Sequence, residues 1–310
     1  MSSAKADFIE RIRCLNISVQ SEATLNKGLA DVEHNSVARM LRNGLAVVGF
    51  ATLEDFVKKR TSEAMVEISG CSIPFSELPE KLQYAATFEI LSALNHQLGL
   101  IPKNQITGYA DKIDYIQEQA LNISSTATSN YMISNHTFAH STSNVNKKVI
   151  GEILKSLQVD DPWRQMTTIC AQLGLGTYPL VQQYENAAKR RHKAAHVASA
   201  DTPSNDISQF VKDAFAIAIG FDALISKSIQ KYRENASIHT SNITSSSISI
   251  RTVRYQDSTW KEYTNQSRRA YRTSRDLSVL STDAKRRSSA AKQLYVEFDE
   301  NSVVSNWECY

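Results

Sequence analysis

The sequence predicts a mainly α protein, an antiparallel helical bundle followed by a small mixed α/β appendage. Three observations carry this expectation. Apolar residues recur at helical spacing from Asp7 to about Gly70 with no proline between them. Polar stretches rich in Ser, Thr and Asn separate the later helical segments, and alternation of period two appears near the C-terminus at Ile248, Ile250, Val253 and Tyr255.

In chain order, Val37, Leu41, Leu45 and Val48, then Leu53, Phe56 and Val57, mark two long helices joined near Glu33 to Ser36. Ser76-Glu77-Leu78-Pro79 opens another helix, so that Glu80 to Leu98 and Gly108 to Ile123 complete an antiparallel bundle. Asn122 to Asn146 reads as a loop with room for one short strand, because its Ser, Thr and Asn side chains compete for helical hydrogen bonds. Lys147 to Gln158 and Pro162 to Leu173 are two short helices, and Pro179 opens a longer one to about Ala198. Asp201-Thr202-Pro203 ends that helix and caps an apolar one from about Ser204 to Tyr232. Residues 1–235 thus form the helical domain, 236–249 a polar linker, and 250–310 a basic appendage of two or three strands and one helix with an acidic tail.

With 310 residues and 42% apolar content, the chain can bury a core without covalent staples. Cys14, Cys71, Cys170 and Cys309 lie far apart, neither a disulfide framework nor a zinc-finger spacing, and a reducing cytoplasm is the expected location. Charges interrupt the first residues where an export signal needs an apolar run, and no segment offers about 18 consecutive apolar residues, so no membrane association is expected. Net charge is +3, unevenly spread: residues 1–250 carry 24 Lys+Arg and 24 Asp+Glu, 251–292 carry 11 and 4, and 293–310 carry 0 and 4.

One constellation carries chemistry. On the helix opened by Pro179, Glu185, Lys189, His192 and His196 are spaced 4, 3 and 4 and share one face, with Arg191 to one side and Arg190 to the other. Imidazoles exchange protons near neutral pH and guanidinium groups grip phosphate oxygens in a bidentate fork, a combination suited to phosphodiester cleavage without a metal. The bland reading is a solvated basic helix end whose cations favour the negative pole of the macrodipole. A zinc reading rests on the four-residue spacing of His192 and His196 and of His136 and His140. It lacks the glutamate of an HExxH motif and any nearby cysteine, so neither metal nor cofactor is expected.

Arg191-His192-x-x-x-His196 resembles the Arg-x4–6-His signature of the HEPN ribonucleases. The long N-terminal helices, the Asn/Ser loop before Lys147-Lys148-Val149-Ile150, the segment Leu157-Gln158-Val159-Asp160-Asp161-Pro162 and the helix after the motif resemble the RiboL-PSP-HEPN branch, over roughly residues 8–230. Arg190 also satisfies the motif spacing, with five intervening residues against four from Arg191. The resemblance implies a metal-independent endoribonuclease acting as a homodimer or higher even oligomer with a composite site, a toxin or antiviral effector held in check by an antitoxin or triggered by a sensor protein. It implies that His196 moves the proton, Arg191 stabilises charge on phosphorus, and His192 and Lys189 orient the phosphate. The other class of reading is a non-catalytic helical module that binds RNA or protein through the same helix end.

Lys189, Arg190 and Lys193 are further candidate RNA contacts. So are Arg268, Arg269 and Arg272, from a stretch that interleaves Tyr255, Trp260, Tyr263 and Tyr271 with cations able to neutralise phosphates while the rings stack on bases. There is no GxSxG elbow, and Gly174-Leu175-Gly176 lacks the third glycine and lysine of a phosphate loop, which argues against serine hydrolase and nucleotide-switch chemistry.

Overall fold

The structure is a computed structural model that describes residues 2–100, 108–138, 145–176, 178–234, 242–265 and 267–310. Helices α1 (Ser3–Val19), α2 (Val32–Ser69), α3 (Glu80–Tyr84), α4 (Ile90–Leu100), α5 (Gly108–Ser125), α6 (Lys147–Ser156), α7 (Pro162–Gln172), α8 (Leu180–His196) and α9 (Ser204–Arg233) precede strands β1 (Ile250–Gln256), β2 (Thr259–Thr264) and β3 (Arg272–Ser274). Helix α10 (Leu277–Ala290) and strands β4 (Leu294–Phe298) and β5 (Val304–Glu308) complete the chain. A mainly α fold with a small mixed C-terminal sheet is therefore the observed class.

The first helical boundary differs from the sequence expectation. The break lies between Val19 and Val32, and Glu33 to Ser36 is already helical. Local side-chain hydrogen bonds decide this. The Thr24 hydroxyl donates toward the carbonyls of Val19 at 3.0 Å and Ser21 at 2.8 Å, closing the turn after α1. Asn35 keeps its backbone helical and spends its amide on the preceding loop, accepting from Lys27 N at 2.8 Å and donating to Gly28 O at 3.1 Å.

The stripe that revealed α2 also points outward at its N-terminal end, where Val37, Leu41 and Val48 are exposed. Ala38, Arg42, Phe50, Leu53 and Phe56 form the buried face, and a Cβ on Gly49 would lie 2.7 Å from Leu15 Cδ2, so glycine is required for close packing there. A periodic pattern fixes the helix but leaves open which of two mixed faces turns inward.

Two compact units divide the chain, with the divisions inside α2 and α9 and at the start of α7. The first comprises residues 1–56, 163–224 and 244–310. Its helical core gathers Phe8, Ile12, Phe50, Leu53, Phe56, Met166, Ile169, Phe215 and Phe221. Its sheet has strand order β3-β2-β1-β4-β5, antiparallel except where β1 lies parallel to β4. The appendage expected to hold two or three strands thus holds five, because β4 and β5 lie in the acidic tail, where alternation is masked by a bulge at Glu297/Phe298. One sheet face packs Val253, Trp260 and Tyr295 against Leu280 and Ala284 of α10. On the last strand, Trp307 is fully buried with its ring 6.1 Å from Phe8, 6.1 Å from Phe56 and 6.3 Å from Phe215. Its Nε1 donates to buried Asp222 at 2.8 Å, and its carbonyl accepts from Lys5 Nζ at 2.6 Å.

The second unit comprises residues 57–162 and 225–243. Met65, Ile68, Leu82, Tyr131, Ile150, Leu154, Leu157 and Tyr232 are buried in it, and a π turn at Ala85–Glu89 joins α3 to α4. Among the described residues of the 122–146 loop there is no strand. In the polar run before β1, Ile243 pairs with Val159 in a parallel bridge and donates its N–H to Gln158 O at 2.8 Å. Among the described residues no helix is long and apolar enough to cross a membrane.

Trp307→Ala removes the largest fully buried side chain and leaves Asp222 without its indole donor. Chemical denaturation is expected to show a loss of about 3–5 kcal/mol. A loss below about 1 kcal/mol would contradict a structural role for β5.

Candidate functional site

Helix α8 is placed by its buried row Leu180, Tyr184 and Ala187, spaced 4 and 3. The Tyr184 ring lies 5.3 Å from Phe50 and 5.6 Å from Trp163, and burial raises its phenol well above the ordinary value. Beyond Ala187 the buried row gives way to the cationic end of the helix. The last turn carries Lys193 and His196, and the Val197 N–H closes it on Lys193 O at 2.9 Å.

The chain after α8 is held by two neighbours on α2. Buried Arg42 donates through Nε to Thr202 O at 3.0 Å and through Nη2 to Asp201 Oδ1 at 2.6 Å. Its Nη1 donates to Thr24 O at 2.8 Å and Asn26 Oδ1 at 2.9 Å. Asn43 Nδ2 donates to Ala200 O at 2.7 Å, and its Oδ1 accepts from Thr202 N at 3.1 Å and Thr202 Oγ1 at 3.0 Å. Residues 200–202, just past His196, are thereby fixed to α2. Sequence reading missed both residues; the one available signal was an Arg-Asn pair directly before the apolar run from Gly44 to Ala51.

Lys189, His192, Lys193 and His196 are exposed, and none of them has an ion-pair partner among the described residues. The His192 and His196 rings lie 4.7 Å apart between centroids, as their four-residue spacing demands. The expected stripe therefore exists and opens to solvent, while Glu185 is half-buried. The two arginines part company. Arg190 is half-buried, with Nη1 3.7 Å from Asp206 Oδ2 on α9. It also faces Asp213, whose carboxyl burial pushes above the ordinary value while a hydrogen bond from Gln209 and the Arg190 charge pull it back. Arg191 is half-buried on the other side of α8. At about 100° per residue, Arg191 and His196 project about 140° apart.

The second set of sequence candidates is distributed differently. Arg268 and Arg269 are exposed in the turn between β2 and β3 without an ion-pair partner among the described residues. Arg272 is paired with Asp283 at 3.0 Å. Other cations of the basic stretch are paired as well: Arg251 and Arg287 both bond fully buried Glu262, Lys261 bonds Asp257, and Lys285 lies 3.0 Å from Glu308. Among the described residues no group of three or more His, Cys, Asp or Glu is arranged to hold a metal, and His140 lies outside them.

The RiboL-PSP-HEPN family model matches residues 6–227, which takes in α1 through most of α9 and all of α8. The chain belongs to the RiboL-PSP-HEPN family. No curated protein and no solved structure matches it. The family match ends before the sheet, although Trp307 of β5 packs against Phe8, Phe56 and Phe215 within the matched region.

Arg42→Ala removes four hydrogen bonds, two to the turn after α8 and two to the loop after α1. The expected cost is about 3 kcal/mol in denaturant unfolding, with faster amide exchange at Val197 and Ala200. Unchanged exchange at those two amides would show that Arg42 does not hold the turn.

Proposed function

We propose that this HEPN protein is a metal-independent endoribonuclease whose reacting groups lie at the end of α8. The observation that carries the reading is the exposed, acid-free set Lys189, His192, Lys193 and His196 beside Arg191, in the region matched by the family. Imidazoles so exposed can reach a phosphodiester, and Lys189 and Lys193 beside them supply positive charge.

In the reaction, the ribose 2′-oxygen attacks phosphorus and the bond to the 5′-oxygen breaks. His196 takes the proton from the 2′-hydroxyl or supplies one to the leaving 5′-oxygen, and Arg191 stabilises the charge that develops on the phosphoryl oxygens. His192, Lys189 and Lys193 orient the phosphate. The products are a 2′,3′-cyclic phosphate and a 5′-hydroxyl. Arg190 is assigned as a further RNA contact, with its guanidinium 3.7 Å from Asp206 Oδ2. Arg268, Arg269 and Arg272 are assigned to RNA binding away from the reacting groups.

The angle between Arg191 and His196 bears on assembly. Two side chains about 140° apart on one helix do not converge on one phosphate, whereas the arginine of one copy and the histidine of another can. The reading therefore includes a homodimer or higher even oligomer with a composite site. A ribonuclease of this kind would act in the cytoplasm as a toxin or antiviral effector, under an antitoxin or a sensor protein.

Total RNA incubated with EDTA is expected to be cut by wild type, leaving cyclic phosphate ends, and His196→Ala is expected to lower the rate by about 10²–10⁴. Products with 3′-hydroxyl ends, or activity abolished by EDTA, would count against the mechanism. If neither protein cuts, the non-catalytic binding reading or a missing activator takes its place.

A separate complementation experiment addresses the composite site. Random mixing of Arg191→Ala and His196→Ala subunits should restore about a quarter of wild-type activity, since half the dimers are mixed and each holds one intact site. No recovery in demonstrably mixed dimers would place both groups in one subunit's site.

A further inference from the structure

The C-terminal sheet is asymmetric in charge. On the face covered by α10, cations meet acids: Glu262 receives both Arg251 and Arg287, and Asp283 on α10 receives Arg272. Strand alternation sends Thr252, Arg254 and Gln256 of β1 to the opposite face. There, with Tyr263, Gln172 and Arg268, they line an open groove of about 440 Å³, and no carboxylate is among its lining residues.

Arg254 is built into this groove. Its guanidinium sits over the Phe298 ring, 3.7 Å from the centroid, and donates through Nη2 to the carbonyl of Leu173. That carbonyl is presented by the turn ending α7, where Gly174 takes a φ of +65°, a conformation that favours glycine. Stacking and one backbone bond fix the fork while most of its five N–H donors stay uncommitted, and no described carboxylate neutralises it. Desolvation of this unpaired cation pulls its pKa below the ordinary guanidinium value. Arg268 supplies a second guanidinium at the groove edge, exposed and without an ion-pair partner among the described residues. The Tyr263 hydroxyl donates to Gln256 Oε1 at 2.7 Å, which leaves the Gln256 amide nitrogen as a donor.

We propose that this groove is a phosphate-binding site for a ribonucleotide unit, with Arg254 as the fixed anchor, Arg268 as the outer cation, and the amides and hydroxyls of Gln172, Gln256 and Thr252 facing the sugar. The chemistry fits on three counts. A planar fork matches phosphate oxygens, hydroxyl and amide groups match ribose, and the absence of acids removes the repulsion that would reject a polyanion. The open shape admits a strand that continues beyond the groove. The ligand class rests on the RNA reading, but the site does not depend on catalysis at α8. RNA strand and free nucleotide share this chemistry, and the experiment separates them.

The test uses the full chain carrying His196→Ala, which keeps RNA intact, with a fluorescent 20-nucleotide single-stranded RNA as one probe and uridine monophosphate as the other. If the strand is the ligand, Arg268→Gln should weaken RNA binding about threefold to tenfold. Arg254→Gln with Arg268→Gln should weaken it more than tenfold, and the slope of log affinity against log salt should fall by about 0.7 for each lost phosphate contact. Exposed Arg268 makes no contact that folding needs, so its single substitution stands even if the double variant is destabilised. Binding of uridine monophosphate alone, lost in the same variants, supports the groove with a free nucleotide as its ligand. Unchanged affinity for both probes in both variants, or no binding of either probe by the parent, overturns it. RNA affinity that survives these substitutions but falls with Lys189→Gln and Lys193→Gln rejects the groove while leaving the RNA reading of α8 intact.

Discussion

The guanidinium of Arg42 is the constraint on which the α8 end depends. A buried cation with four donors engaged joins the loop after α1, the N-terminal part of α2 and the turn after α8, and none of its acceptors can move alone without stranding a buried N–H of Arg42. Three of the four acceptors are neutral oxygens and the fourth is a half-exposed carboxylate, so the bonds, more than one salt bridge, define the geometry. Asn43 adds a second grip on the same turn. The histidines at the end of α8 are thus exposed to solvent on a rigid support, the arrangement a chemical site needs.

A related economy governs the acidic and basic side chains of the sheet. Buried Glu262 bonds two arginines at once, which lowers the self-repulsion of a segment with 11 cations and 4 anions. Arg254 and Arg268, without ion-pair partners among the described residues, line the groove on the face away from α10, while Arg269 and Arg275 are exposed and likewise without ion-pair partners among the described residues. Charge that looks like a continuous basic stretch in sequence therefore becomes a sorted distribution in three dimensions, mostly neutralised on one face and available on the other. The acidic tail does part of the sorting, since Glu308 receives Lys285.

Much of the fold was legible because helix formation leaves a periodic trace. The helices from Glu80 onward lie close to their expected bounds, and α8 begins directly after Pro179, where proline's fixed φ favours a helix start. The stripe of Lys189, His192 and His196 followed from spacing alone, since residues three and four apart on a helix must be neighbours. Family membership was legible from the same stretch together with its setting. The extra strands in the tail were not, because β4 is interrupted by a bulge and β5 buries Trp307 against helices rather than alternating simply.

By itself, then, the sequence determined which segments are helical, that the C-terminal appendage holds strands, and which cations and imidazoles share a helix face, all of which are local consequences of backbone periodicity. Tertiary structure alone decided which face of α2 turns inward, that Arg42 and Asn43 hold the turn after His196, and that Asp206 engages Arg190 while Arg254 stays free of carboxylates. The physical reason is range. Periodicity and capping act within a few residues, whereas burial, ion pairing and the sorting of charge between faces depend on residues that only folding brings together.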